Sequence, residues 1–151
     1  MPSLVPFPES FIADTALADT FSRNATNHLD SVDRAADQAM DNIVLHAVAI
    51  AIELLLKSYL LRVATDDRWN RQHIGHDLDY AARYAEIAGL ALPPQLQSVI
   101  AQLHPHFQRG GFARNPSRKW PPGFSLRARD TARQLAQKIR EYERCGDNHS
   151  S

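Results

Sequence analysis

A chain of 151 residues is long enough for one domain with a core of its own. Its 17 Lys and Arg balance its 17 Asp and Glu, and 44% of its residues are apolar. That balance excludes a disordered chain and a uniformly basic nucleic-acid binder. The single cysteine, Cys145, excludes an internal disulfide framework and an all-cysteine zinc site.

The opening MPSLVPFPES has no basic start and no long apolar stretch, so no secretory signal is expected. Pro2, Pro6 and Pro8 make residues 1–8 an extended arm. A first helix is predicted over 9–23, with Phe11, Leu17 and Phe21 as its apolar residues. Asp30 or Ser31 then caps a long helix running to about residue 64. Its second half is apolar all round, as suits a helix at the centre of a bundle. The run 43–61 carries His46, Glu53 and Lys57, which argues for a soluble core rather than a membrane span. The cytoplasm is the expected compartment, with no membrane partner.

Residues 65–75 read as a polar connection. A third helix starts near His76 and stops at Gly89, a glycine placed to end it. A fourth opens at Pro93 or Pro94 and ends near Phe107. A long loop over 110–124 follows, and Ser125 caps a last helix to about Arg144. In that helix Ala128, Ala132, Leu135, Ile139 and Tyr142 are spaced four, three, four, three. The seam faces either the bundle or a second chain. Arg129, Arg133, Arg140 and Arg144 lie mostly away from it, in solvent. No segment alternates as a strand does. The expected fold is all-α: an antiparallel up-and-down bundle of four to five helices over 9–144, then a disordered tail over 145–151.

The zero net charge hides an asymmetry. Residues 1–108 carry 7 basic and 13 acidic side chains, and residues 109–144 carry 10 basic and 3 acidic ones. The basic third either docks on the acidic part, within the chain or across a dimer, or meets nucleic acid. Aromatic residues among the cations of the long loop suit phosphates and unstacked bases. Arg109, Phe112, Arg114 and Lys119 are therefore the candidate ligand- or phosphate-binding residues, with Trp120 as a stacking platform. Gly110-Gly111 either exposes backbone N–H groups to a phosphate or simply ends a helix.

His46, Ile50, Glu53 and Lys57 share one face of the apolar helix. Glu53 and Lys57 form either an internal pair or part of a polar pocket, because a buried charge needs a partner. His76 and Asp77 sit at a helix start, where they cap it. His73-x2-His76 and His104-x-His106 supply four imidazoles, but nothing in the sequence brings the two pairs together. No metal and no cofactor is expected. Cys145 has no nucleophilic constellation around it, and no Gly-x-Ser-x-Gly element occurs.

The run IVLHAVAIAIELLLKSYLL, with Glu53-x-x-x-Lys57 inside it, resembles the central helix of HEPN-superfamily domains. Gly75-His76-Asp77-Leu78 is similar to the start of that family's next helix. Arg114-Asn115-Pro116 looks like a variant of its Arg-Tyr-Pro. The resemblance spans residues 43–143. It implies a helical bundle that commonly dimerises. Many members are ribonucleases of toxin–antitoxin and other conflict systems, and others bind RNA, nucleotides or proteins without catalysis. Catalytic members place an Arg-x4–6-His motif near the start of a late helix. Here no histidine follows Arg109 or Arg114 until His149. The matches Arg23/His28, Arg68/His73, Arg71/His76 and Arg144/His149 lie outside the family's position. The expected function is thus a non-catalytic HEPN-like domain that binds RNA, a nucleotide or a cognate partner protein, as a homodimer. One alternative is a metal-independent endoribonuclease built on Arg114 with His104 or His106. The other is a purely structural interaction module.

Overall fold

The computed structural model describes residues 4–35, 41–107 and 120–149. Among these residues the fold is all-α, with six helices and no strand: α1 (Thr15–Ala35), α2 (Asp41–Val63), α3 (Asp67–His73), α4 (Leu78–Ile87), α5 (Leu96–Phe107) and α6 (Phe124–His149).

The α1 helix starts later and ends later than its sequence predicts. Asp14 caps it, its side chain accepting from the Leu17 N–H at 3.0 Å. Ala18, Ala25, Leu29 and Val32 then form one buried stripe. Phe11 lies ahead of the helix, exposed. Asp30 and Ser31 cap nothing; they sit inside α1. Their polarity reflects a solvent-facing side, and the apolar period runs on past them.

The α2 helix is the centre. Val44, Leu45, Val48, Ala49, Ile52, Leu55, Leu56, Tyr59 and Leu60 are buried on every side of it. It packs against α1, α4, α5 and α6. By length and composition α2 is the one described helix apolar enough to cross a membrane, and 72% of its most apolar window is buried among the other helices.

The polar connection expected over 65–75 contains a helix, α3. Asp66 caps it by accepting from the Trp69 N–H at 2.8 Å. Trp69 is the buried anchor, its ring 5.8 Å from Phe7 and 4.9 Å from Tyr84. Leu4 and Phe7 of the proline-rich arm pack on the same core. The Tyr84 hydroxyl donates to the Val5 carbonyl at 2.8 Å.

Asp77 caps α4, and Gly89 ends it at φ +107°, a conformation that favours glycine. The α5 helix begins one turn after Pro93, whose carbonyl accepts from the Leu96 N–H. Phe124 rather than Ser125 opens α6, right after Gly123 at φ +75°. The same helix continues through residues 145–149, which the sequence reading places in a disordered tail.

Ion pairs hold the long helices side by side. Arg133 binds Asp30 at 3.0 Å and also Asp33, and Arg129 lies 3.6 Å from Asp33. Arg62 of α2 joins Asp19 of α1 to Glu143 of α6, at 3.3 Å from the latter. Burial opposes the charge of Arg133, but its hydrogen bonds to Asp30 and Asp33 outweigh burial and raise its pKa.

Candidate functional site

The Glu53/Lys57 face of α2 meets the turn between α3 and α4. Residues four apart on a helix point the same way, so both charged ends reach one short stretch of chain. Gly75 turns that stretch, at φ +57°, where a side chain would strain the backbone. Its N–H donates to the Asn70 carbonyl and closes α3. Its carbonyl accepts from Lys57 Nζ at 2.6 Å. His76 follows, with Nδ1 2.6 Å from Glu53 Oε1. Asp77 comes next and accepts from the Tyr80 N–H at 2.9 Å, capping α4. Three consecutive residues thus each make a different anchoring bond.

Glu53 and Lys57 are themselves paired at 3.6 Å, with side chains 10% and 9% exposed. The internal pair expected from the sequence is present, and it has two further partners. An ionised carboxylate can only accept, so the Glu53 contact places the His76 proton on Nδ1 when the ring is neutral. Nε2 is then an acceptor on a side chain that is 73% exposed.

Phe107, at the end of α5, completes this face. Its ring centroid is 5.9 Å from that of His76 and 6.0 Å from that of His46, both edge-on. His46 is exposed and Phe107 is half-buried. The spacing of His46, Glu53 and Lys57 was legible in the sequence. Phe107 was not, because its role depends on where α5 ends against α2.

The other proposed ligands disperse. His73 packs on Trp69, with centroids 4.8 Å apart. His104 lies partly buried, its Nε2 3.8 Å from Asp77. Its Nδ1 is buried without a hydrogen-bond partner among the described residues. The side chain of His106 lies outside the described set, as do Arg109, Phe112, Arg114 and Lys119. No group of three His, Cys, Asp or Glu side chains that could hold a metal occurs among the described residues.

Trp120 is not a surface platform. It is 9% exposed, stacks on Phe124 with centroids 5.5 Å apart, and its indole N–H donates to Asn42 at 2.7 Å. Four of the five seam residues of α6, Ala128, Ala132, Leu135 and Ile139, are buried inside the chain, and only Tyr142 is exposed. Arg129 and Arg133, expected in solvent, are engaged with Asp30 and Asp33, so part of the basic third docks on the acidic part within one chain. Lys138, Arg140 and Arg144 remain exposed. No protein-family model, curated protein or solved structure matches the chain.

Proposed function

We propose that the chain is a HEPN-like antiparallel up-and-down bundle, acting as a cytoplasmic homodimer that binds RNA and performs no chemistry on it. The observation that carries the reading is the junction at residues 75–77. The two motifs behind the resemblance, Glu53-x-x-x-Lys57 and Gly75-His76-Asp77-Leu78, bind one another through Lys57–Gly75 and Glu53–His76. A resemblance spread over separate segments gains weight when those segments are direct partners. The up-and-down course is supported by the ion pairs. Asp33 and Asp30 of α1 meet Arg129 and Arg133 of α6 in opposite order, and the Asp14 N–H donates to the Leu61 carbonyl at the far end of α2.

Binding is favoured over the structural-module reading because the α6 seam is spent inside the chain. It is favoured over cleavage because no histidine follows Arg109 or Arg114 until His149, so the Arg-x4–6-His spacing of catalytic members is missing from its usual place. RNA is favoured over a protein partner by the ten cations concentrated in residues 109–144, of which Lys138, Arg140 and Arg144 face solvent. The test is fluorescence anisotropy of a labelled single-stranded RNA across a salt series. Cation–phosphate contacts release counterions, so affinity is expected to fall at least tenfold between about 50 and 200 mM salt. Binding that ignores salt, or none at the lowest salt, overturns the reading.

A further inference from the structure

We propose that the surface formed by His46, Phe107 and His76, over the buried Glu53–Lys57 pair, is the site that receives a ribonucleotide unit. The inference rests on the RNA-binding reading above and gives it a location different from the one expected at Trp120. Three observations combine. The rings of His46 and His76 both brace against Phe107, so three aromatic rings adjoin on one face. Glu53 Oε1 holds His76 at 2.6 Å by Nδ1 while the ring stays 73% exposed, so its plane and its Nε2 are offered to solvent in a fixed pose. Lys57, bonded to Glu53 and to the Gly75 carbonyl, keeps that carboxylate in place.

An exposed ring held by a buried carboxylate loses little conformational freedom on binding, which favours stacking. An unpaired base supplies the stacking partner. The ribose supplies the polar one: its 2′-hydroxyl, both donor and acceptor, hydrogen-bonds to Nε2 of His76, the ring nitrogen that the Glu53 contact leaves facing outward. DNA lacks that hydroxyl. A site of this kind therefore prefers an unpaired ribonucleotide to its deoxy counterpart.

The test uses the full chain, a labelled oligoadenylate RNA, the DNA of the same sequence, and adenosine monophosphate as competitor. Thermal melting first establishes that each variant folds as the wild type does. His76→Ala and His46→Ala are each expected to weaken RNA binding about tenfold, the scale of one lost stacking contact. His76→Phe keeps a ring but has no ring nitrogen. It is expected to retain most of the affinity and to lose the preference for RNA over DNA. Competition by the monophosphate assigns the site to free nucleotide, and its failure assigns it to a strand; both outcomes keep the proposal. Wild-type RNA binding that is unchanged in His46→Ala and His76→Ala overturns the site and leaves the RNA-binding reading standing. A wild-type chain that binds neither RNA nor nucleotide overturns both.

Discussion

Lys57 makes two contacts at once. It donates to the Gly75 carbonyl and neutralises Glu53 beside it. Removing one member of a buried pair leaves the other charge without compensation, which costs more than the pair is worth. Lys57→Met is therefore expected to lower the unfolding free energy by about 3 kcal/mol, read from the urea midpoint. Glu53→Gln together with Lys57→Met should recover part of that loss; a double variant as unstable as the sum of the singles would show that the two charges are not coupled. Tyr59 and Tyr84 give a second residue-scale expectation. Burial raises both phenols above the ordinary tyrosine value, with the neighbouring Tyr142 adding to the effect at Tyr59. A group whose folded pKa is raised contributes stability that is full below its unfolded pKa and lost as pH climbs through the folded one. The melting temperature should thus be insensitive to these two phenols up to about pH 10 and fall above it. A Tyr59→Phe, Tyr84→Phe double variant should show a shallower fall. An identical alkaline slope in that variant would assign the fall to other groups.

At the scale of elements, two short signals position the α4 helix. Asp77 satisfies an N–H at its start, and Gly89 turns the chain at its end. Asp77→Ala is expected to cost about 1 kcal/mol through the lost cap. Gly89→Ala should cost about 1–2 kcal/mol, since φ +107° strains any side chain and a Cβ there would stand 3.4 Å from the Tyr59 hydroxyl. Urea unfolding of both variants checks this, and a neutral Gly89→Ala would mean that the turn relaxes at no cost. These signals, with the all-round apolar α2 and the Pro93 start before α5, are local, and the sequence shows them. The elements it conceals are those fixed by distant partners. The α3 helix is polar apart from Trp69, whose ring is buried by Phe7 and Tyr84 from elsewhere in the chain. Asp30 resembles a cap because a capping carboxylate and a surface carboxylate look alike in sequence; its actual partner, Arg133, lies 103 residues away. Trp120 looks like a platform for the same reason. Its bond to Asn42, 78 residues away, and its stack on Phe124 turn it inward.

Across the whole molecule, the charge asymmetry of the sequence is partly spent on assembly of the bundle. Arg129 and Arg133 face Asp30 and Asp33, while Arg62 bridges Asp19 and Glu143. Such half-exposed pairs are worth little singly, on the order of 1 kcal/mol, and salt screens them. Arg133→Ala is accordingly expected to destabilise the chain slightly at low ionic strength and less at about 1 M salt. A loss independent of salt would point to packing by the arginine stem instead. The cations left facing solvent, together with the His46–Phe107–His76 face, are what the molecule offers to a ligand. The measurement that tests the central claim most directly incubates the full chain in excess with a labelled single-stranded RNA and divides the mixture between a native and a denaturing gel. Binding without chemistry requires RNA that is retarded on the first gel and intact on the second. RNA cut into fragments, or RNA that migrates free, contradicts it.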